Sequence, residues 1–500
     1  MSTITISNLT FSYPGQDNLF TAQNLELDTS WHLGLGGRNG RGKTTLLNLL
    51  RGKLHTATGN INMPVQPLYF PQTVTHPEQL TWEVIDEVSS TELWQVQREL
   101  TLLGADDSIL YLPFASLSGG EQTKVLLAVA FADEAGFPLL DEPTNHLDAA
   151  GRQQVADYLH AKKQGFIVIA HDRHFLDIAT DHTLTIEKQQ LVLTQGNFSA
   201  YETAKKRTDA REFADQQQLR HDIGRLKQTA ANKRDWAMSR EGDIHGDPHV
   251  KGSGGTGHSG FVTARAARQM KKAKNLERRM DKEITNKEQL LKNVEFIDPL
   301  KMNYEPNHHE VLLRVRELQL AYAGVPLFAP LTFELHRGDR LALVGPNGSG
   351  KSSIIAAILG HFGGEISGEI DLAETATRSL VRQQYPDNTG RLQDFADKRH
   401  LNYEDLLSNL KKLGVERSVF NTPIELMSAG QQKKVELASS LATPSGLYIW
   451  DEPLNYLDVF NQDQLSQLLT TVKPTMLLTE HDTDFLEKVA TKTVRLTPLN

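Results

Sequence analysis

The sequence predicts an α/β protein: two similar domains of alternating strands and helices, joined by a long antiparallel pair of helices. Three observations predict it. A glycine-rich pattern, G-x-x-x-x-G-K-[ST], occurs twice, and each copy follows an apolar run and precedes a helix-forming run. Further short patterns recur around both copies in the same order. Between the two sets lies a polar stretch, free of proline from Ser199 to Arg240, with Leu219, Ile223, Leu226 and Ala230 at helical spacing. The expected divisions are residues 1–200, 201–300 and 301–500, with a short insertion at about 73–116 and a glycine-rich tip at 241–261 in the middle segment.

The two glycine loops come first. Gly37 to Thr44 follows WHLGLG and precedes TLLNLL; Gly345 to Ser352 follows RLALV and precedes SIIAAIL. Glycine lets a loop wrap so that successive N–H groups point at phosphate oxygens. Lysine reaches the terminal phosphates, and the following hydroxyl can hold Mg²⁺. The expected phosphate contacts are Gly37, Asn39, Gly40, Arg41, Gly42, Lys43, Thr44 and Thr45, and again Gly345, Asn347, Gly348, Ser349, Gly350, Lys351, Ser352 and Ser353. ATP and Mg²⁺ are the expected cofactors.

The recurring motifs are LSGGE (Leu117–Glu121) and MSAGQ (Met427–Gln431), FPLLDEP (Phe137–Pro143) and LYIWDEP (Leu447–Pro453), NHLD (Asn145–Asp148) and NYLD (Asn455–Asp458). IVIAHD (Ile167–Asp172) and MLLTEHD (Met476–Asp482) complete the set. Together they resemble the Walker A, signature, Walker B, D-loop and His-switch elements of ATP-binding-cassette (ABC) ATPases, over roughly residues 4–205 and 311–500. The fold expected is therefore two ABC-type P-loop nucleotide-binding domains.

Phosphoryl transfer depends on charge neutralisation and a positioned water. Asp141 and Asp451 end apolar strands and are expected to hold Mg²⁺ with Thr44 and Ser352. Glu142 and Glu452 come next; alternation along the strand turns them to its other side, where each would polarise the attacking water as general base. His171 and His481 stand at matching positions, each before an aspartate, and are expected to hold the γ-phosphate and water. Gln72 and Gln383 resemble the glutamines that sense Mg²⁺, with Gln384 an alternative to the second. Tyr13 and Tyr322 resemble the aromatic residue that stacks on adenine. Pro138 is expected to start a short strand, Leu139–Asp141, since proline disfavours a central strand.

Ser118, Gly119 and Gly120, and Ser428, Ala429 and Gly430, open helix-forming runs. A helix N-terminus of small residues suits an anion. The resemblance implies that the signature of one domain covers the ATP of the other, Lys43 with Ser428 and Lys351 with Ser118. Ala429 stands where the family has glycine, which would weaken that composite site.

Composition narrows the setting. The chain has 500 residues and no cysteine, which excludes disulfides and thiolate metal sites and points to a reducing compartment. No secretory leader is visible and no apolar run is long enough for a membrane helix, so a cytoplasmic protein is expected. Net charge is −9, yet residues 201–300 hold 21 Lys and Arg against 15 Asp and Glu. A basic segment in an acidic protein suggests a polyanionic partner. Arg265, Arg268, Lys271, Lys272, Lys274, Arg278 and Arg279 cluster near the tip and are the candidate RNA contacts. Trp236, Met238 and Phe261 flank the tip as candidate stacking groups. His245, His249 and His258 fit no familiar metal spacing.

Two cassettes in one chain, joined by a basic helical segment, resemble the ABC-F class of ribosome-associated ATPases. The small insertion, the long tip and the absence of a basic C-terminal extension resemble its Lsa/Vga-like antibiotic-resistance branch. That resemblance implies binding near the ribosomal exit site, with large-subunit RNA and exit-site tRNA as partners. It also implies dislodging of lincosamides, pleuromutilins and streptogramin A from the peptidyl-transferase centre. A monomer whose two cassettes pair with each other is expected. The competing expectations are a housekeeping translation or assembly factor and, further off, the ATPase subunit of a membrane exporter.

Overall fold

In a computed structural model, residues 2–15, 18–56, 58–145, 147–187, 190–208, 299–373 and 377–499 are described, with scattered residues between 210 and 282. The chain forms two compact units, Met1–Tyr201 with Asp298–Asn500, and Glu202–Ile297. Both cassettes lie in the first unit. In the second, the described residues, among them 202–208, Gly224, Arg225 and Lys282, are helical. The glycine-rich tip, the seven candidate RNA contacts and the flanking aromatic residues lie outside the described residues.

The first cassette is built on a six-stranded sheet ordered β5-β6-β7-β3-β8-β9. Its strands are β3 (His32–Gly37), β5 (Gln66–Phe70), β6 (Gly136–Asp141), β7 (Phe166–Ile169), β8 (His182–Glu187) and β9 (Gln190–Gln195). All neighbours are parallel except β8 and β9. An antiparallel sheet of β1 (Thr3–Phe11), β2 (Phe20–Asp28) and β4 (Thr58–Asn62) completes it. The second cassette repeats the order as β15-β16-β17-β13-β18, all parallel. These are β13 (Arg340–Val344), β15 (Arg378–Val381), β16 (Leu447–Asp451), β17 (Met476–Thr479) and β18 (Lys492–Arg495). Its antiparallel sheet joins β10 (Val311–Tyr322) to β11 (Val325–Pro326), β12 (Leu331–His336) and β14 (Glu365–Leu372).

The continuous apolar strands follow from burial on both faces. Leu139 and Ile167 pack with Leu46 and Leu47 of α1 (Lys43–Leu50) and with Ile4 and Phe11 of the antiparallel sheet. Their neighbours Leu140 and Val168 face the other way, onto Val125 and Phe131 of α4 (Gly119–Ala132) and Val155 of α5 (Ala149–His160). The second cassette alternates likewise, with Ile449 and Leu477 in one core and Trp450 and Leu478 in the other. Full burial of each such side chain contributes about 1.5–3 kcal/mol.

Two expectations are corrected. Strand β6 begins at Gly136, so Pro138 lies inside it rather than before it. Its pairing with β7 starts only at Leu139, while Pro138 is registered with Leu68 of β5. The proline therefore sits where the strand is paired on one side. The segment at 73–116 is also not an insertion peculiar to the first cassette. It folds as α2 (Thr81–Val88), α3 (Leu93–Leu102) and two 3₁₀ turns. The second cassette has the same series, α8 (Leu392–Lys398), α9 (Tyr403–Lys412) and two 3₁₀ turns, after α7 (Lys351–Ile358). Among the described residues no helix is long and apolar enough to cross a membrane.

Candidate active site

Parallel sheets present their ligand-binding residues at the carboxyl ends of the strands. Here β3 runs into Gly37, β6 into Asp141 and β7 into Ile169, and Asp141 is registered opposite Ile169. The glycine loop turns into α1 through Gly42, at φ 96°, and into α7 through Gly350, at φ 92°. A Cβ on Gly42 would stand 3.2 Å from Phe20 Cζ, and one on Gly350 3.0 Å from Phe328 Cδ1. Both positive φ and the aromatic neighbour require glycine there.

Lys43 is buried, and its Nζ donates to Gly37 O at 2.7 Å and Asn39 Oδ1 at 3.1 Å. Lys351 Nζ donates to Gly345 O at 2.8 Å and Pro346 O at 2.9 Å. Burial pulls the pKa of each ammonium down, against the attraction of nearby carboxylates. Asp141 and Asp451 are pushed up by burial, opposed by hydrogen bonds from Thr44 and Tyr69, and from Thr479 and Ser352. Each carboxylate thus lies beside its loop hydroxyl. Gln72 Oε1 is buried without a hydrogen-bond partner. Among the described residues no three His, Cys, Asp or Glu form a metal cluster. One carboxylate and one hydroxyl per site fit Mg²⁺, which keeps waters and takes phosphate oxygens.

Glu142 and Glu452 do not continue their strands. They turn at φ 57° and 47°, left-handed values that cost about 1–3 kcal/mol for a residue with a Cβ. Their N–H groups donate to Ile169 O (2.9 Å) and Thr479 O (3.2 Å), which ties each turn to the next strand. His171 Nε2 lies 2.9 Å from Glu142 Oε1, and His481 Nε2 3.6 Å from Glu452 Oε1. Burial raises the Glu452 pKa, but His481 and Asn455 outweigh it and hold the carboxyl below its ordinary value.

The cassettes complete each other. Asp458 Oδ2 of the second accepts from Asn39 N of the first at 2.6 Å, and Tyr456 O accepts from the Asn39 amide at 3.0 Å. Reciprocally, Asp148 Oδ2 accepts from Asn347 N at 3.3 Å. A cavity of about 410 Å³ joins Tyr13, Lys43, Thr44, Asp141, Glu142 and His171 to Gly430, Tyr456 and Glu416 of the second cassette. A second, of about 550 Å³, joins Gly345 and His481 to Asp148 and Ala149. Ser118 and Ser428 cap α4 and α10 (Ala429–Ala442), each in a reciprocal capping box.

Other expected residues are placed unequally. Tyr13 OH lies 3.1 Å from Thr45 Oγ1, whereas Tyr322 is half exposed and packs on Phe362. Gln72 follows Phe70, which is registered with Leu140; Gln383 follows Val381, registered with Trp450, by the same two positions. By register Gln383 occupies the place of Gln72, with Gln384 one position beyond, and Gln383 and Gln384 are both exposed. Tyr69, Asp148, Tyr456, Asp458 and Glu416 were not among the expected site residues. Only the two aspartates had a signal, their recurrence in NHLD and NYLD.

Asp458→Asn keeps the acceptor that caps α11 (Val459–Val472) at Asn461 N, but replaces one that receives Asn39 N. It should weaken ATP binding at the Lys43 site about 10–100-fold, the value of one charge-assisted hydrogen bond. Asp148→Asn, at the longer bond, should weaken its site less. Fluorescent-ATP titration with hydrolysis blocked reads both, and equal small effects would remove the asymmetry.

Fold and site define a class: twin-cassette P-loop ATPases, here with each glycine loop facing the other half of the chain. The ABC transporter family model matches residues 20–145 and 328–455. The chain belongs to that family and is an ATP-hydrolysing enzyme. It is 27% identical to the ribosome protection protein VmlR of Bacillus subtilis (strain 168), covering 97% of this chain and 85% of that protein. It is 27% identical to the erythromycin resistance ATP-binding protein MsrA of Staphylococcus epidermidis, covering 93% and 92%. These relatives accord with an ABC-F ATPase of the resistance branch. Among solved structures, an archaeal ribosome recycling factor, aABCE1, in complex with the ribosomal stalk protein aP1, has the same fold, with a TM-score of 0.61. It is 18% identical, over 98% of this chain and 87% of that one.

Proposed function

We propose that this protein is a ribosome-protection ATPase. ATP closes its two cassettes on each other, and the closed form binds the ribosome near the exit site. The observation that carries the reading is reciprocal bonding across the seam, Asp458 to Asn39 and Asp148 to Asn347. It brings each half to the glycine loop of the other, which is where nucleotide would join them. Bound Mg²⁺ would neutralise charge developing on the phosphates. Thr44, Gln72 and Asp141, and Ser352, Gln383 and Asp451, would hold it; Glu142 and Glu452 would take the proton of the attacking water, oriented by His171 and His481.

The name of the ribosome protection protein VmlR, and the basic excess of residues 201–300, support the ribosome as partner, and the name of MsrA supports a role in antibiotic resistance. In this reading the protein acts as a monomer in the cytoplasm. Residues 241–261 reach toward the peptidyl-transferase centre while Arg265 to Arg279 hold large-subunit RNA beside exit-site tRNA. The drugs displaced are lincosamides, pleuromutilins and streptogramin A.

In ATP, the Glu142→Gln, Glu452→Gln double variant should co-sediment with ribosomes, and more strongly in low salt. A variant that stays in the supernatant refutes ribosome action. Drug susceptibility on expression, with a macrolide included, separates protection from a housekeeping role in translation. Protection that survives deletion of Asp243–Gly260 would rule out a mechanism driven by the tip.

A further inference from the structure

Helices α5 and α11 begin after Asp148 and Asp458, and four residues further on they carry different side chains, Arg152 and Gln462. Gln462 Nε2 crosses the seam and donates to His171 O at 3.3 Å, and to Leu457 O at 3.2 Å. Arg152 Nε donates to Leu147 O at 3.1 Å, and its NH1 to Asp172 Oδ2 at 3.3 Å. Asp172 directly follows His171 and caps α6 (Arg173–Ala179) through Phe175 N at 2.9 Å.

The same guanidinium faces the other cassette. It lines one small cavity with Glu142, His171, Glu480 and Asp482, and an adjoining one of about 210 Å³ with His481 and Asp482. Glu480 is 3% exposed. Its carboxylate accepts from His481 N at 2.8 Å and Leu454 N at 3.1 Å, so it fixes the loop that carries His481. The first cassette has Ala170 at that position and no carboxylate. Other charges at this seam, among the described residues, include Asp484 in the same cavity, the Arg173–Asp463 pair at 2.5 Å, and His174, bonded to Gln153 at 3.1 Å.

We propose that Arg152 is a positioning residue that carries the state of the Lys43 site to the His481 loop, so that the Lys351 site answers to the Lys43 site more than the reverse. The proposal rests on the assignment of Glu142 and Glu452 above. When His171 shifts as the terminal phosphate is lost, Asp172 moves and takes Arg152 with it. Glu480 is buried across the cavity from that guanidinium and feels its charge without a direct bond, so a shift of the cation weakens the stabilisation of a buried carboxylate. In the other direction the link is the neutral Gln462 bond, which is weaker. Reciprocity constrains the equilibrium affinities, not the turnover of the two sites.

The test measures ATP turnover and KM in Glu142→Gln and in Glu452→Gln, each with and without Arg152→Gln. Arg152→Gln should change the residual turnover of the Glu142→Gln protein about threefold or more, and that of Glu452→Gln less than about twofold. KM should move less than kcat. Arg152→Lys, which keeps the charge, should restore most of the original behaviour. An equal change in both backgrounds, or none, overturns the proposal. If Arg152→Gln does not fold, Gln462→Arg puts a cation on the opposite link and should alter the Glu452→Gln background; no change there overturns it. Turnover in the double glutamate variant within about tenfold of the parent would overturn the assignment of the bases and the proposal with it. A silent double variant and an unresponsive Glu142→Gln background would overturn the proposal alone.

Discussion

Replacing Glu142 and Glu452 together by glutamine should lower ATP turnover about 10²–10⁴-fold, the range of general-base catalysis. ATP binding should be kept. The glutamates sit past Asp141 and Asp451, turned by left-handed backbone and facing His171 and His481 at 2.9 and 3.6 Å. Glutamine preserves their shape and part of their hydrogen bonding, so the loops Ile169–Glu142 and Thr479–Glu452 stay tied. The change removes only the proton acceptor. Phosphate release at saturating ATP, beside fluorescent-ATP binding, separates the two effects. If turnover falls less than about tenfold, another group takes the proton. Each single variant should retain the working site, at a level set by its coupling to the blocked one.

Arg382→Met should destabilise the second cassette by about 3 kcal/mol, since it leaves a buried carboxylate without its main partner. Glu436 is fully buried, and Arg382 grips it through Nε at 2.8 Å and NH2 at 3.1 Å. Asn388 adds a bond at 2.8 Å, and Asp387 joins Arg382 to Arg399 with bonds of 2.7 and 2.8 Å. This network ties the residue before Gln383 to the helix that begins at the signature. The first cassette has Pro71 and Leu126 at these places. Adding Glu436→Leu to Arg382→Met should therefore recover most of the loss, because an apolar pair of similar volume replaces a buried ion pair at little cost. Denaturant unfolding followed for the second cassette reads both variants. A single variant within about 0.5 kcal/mol of the parent would mean that Asn388 and Arg399 suffice to hold Glu436.

Much of the active site was legible in the chain because its chemistry is local. The glycine at the end of the phosphate loop and the lysine after it are adjacent, and the aspartate that ends an apolar strand stands directly before its glutamate, although about a hundred residues separate the two motifs. The repetition of the whole order located both sites at once. The turn at Glu142 was not legible, since alternation along a strand predicts the opposite side and only the bond to Ile169 O bends the chain. Pro138 differs for a related reason: the rule against proline in a central strand assumes pairing on both sides, and the pairing of β6 with β7 begins one residue later, at Leu139. The segment at 73–116 reads as an insertion only in isolation, since the second cassette folds the same series of helices at the corresponding place.

By itself the sequence determined that there are two cassettes, where the glycine loop of each lies, and that a segment rich in Lys and Arg divides them. These depend on neighbours in the chain and on periodicity. The tertiary structure alone decided which residues of one half serve the other. Asp458 at Asn39, Gln462 at His171 and Arg152 beside Glu480 are separated by roughly 290 to 420 positions. No local pattern specifies such pairs. They arise because both sheets direct their strand ends to one seam, where burial strengthens each charge and hydrogen bond that meets across it.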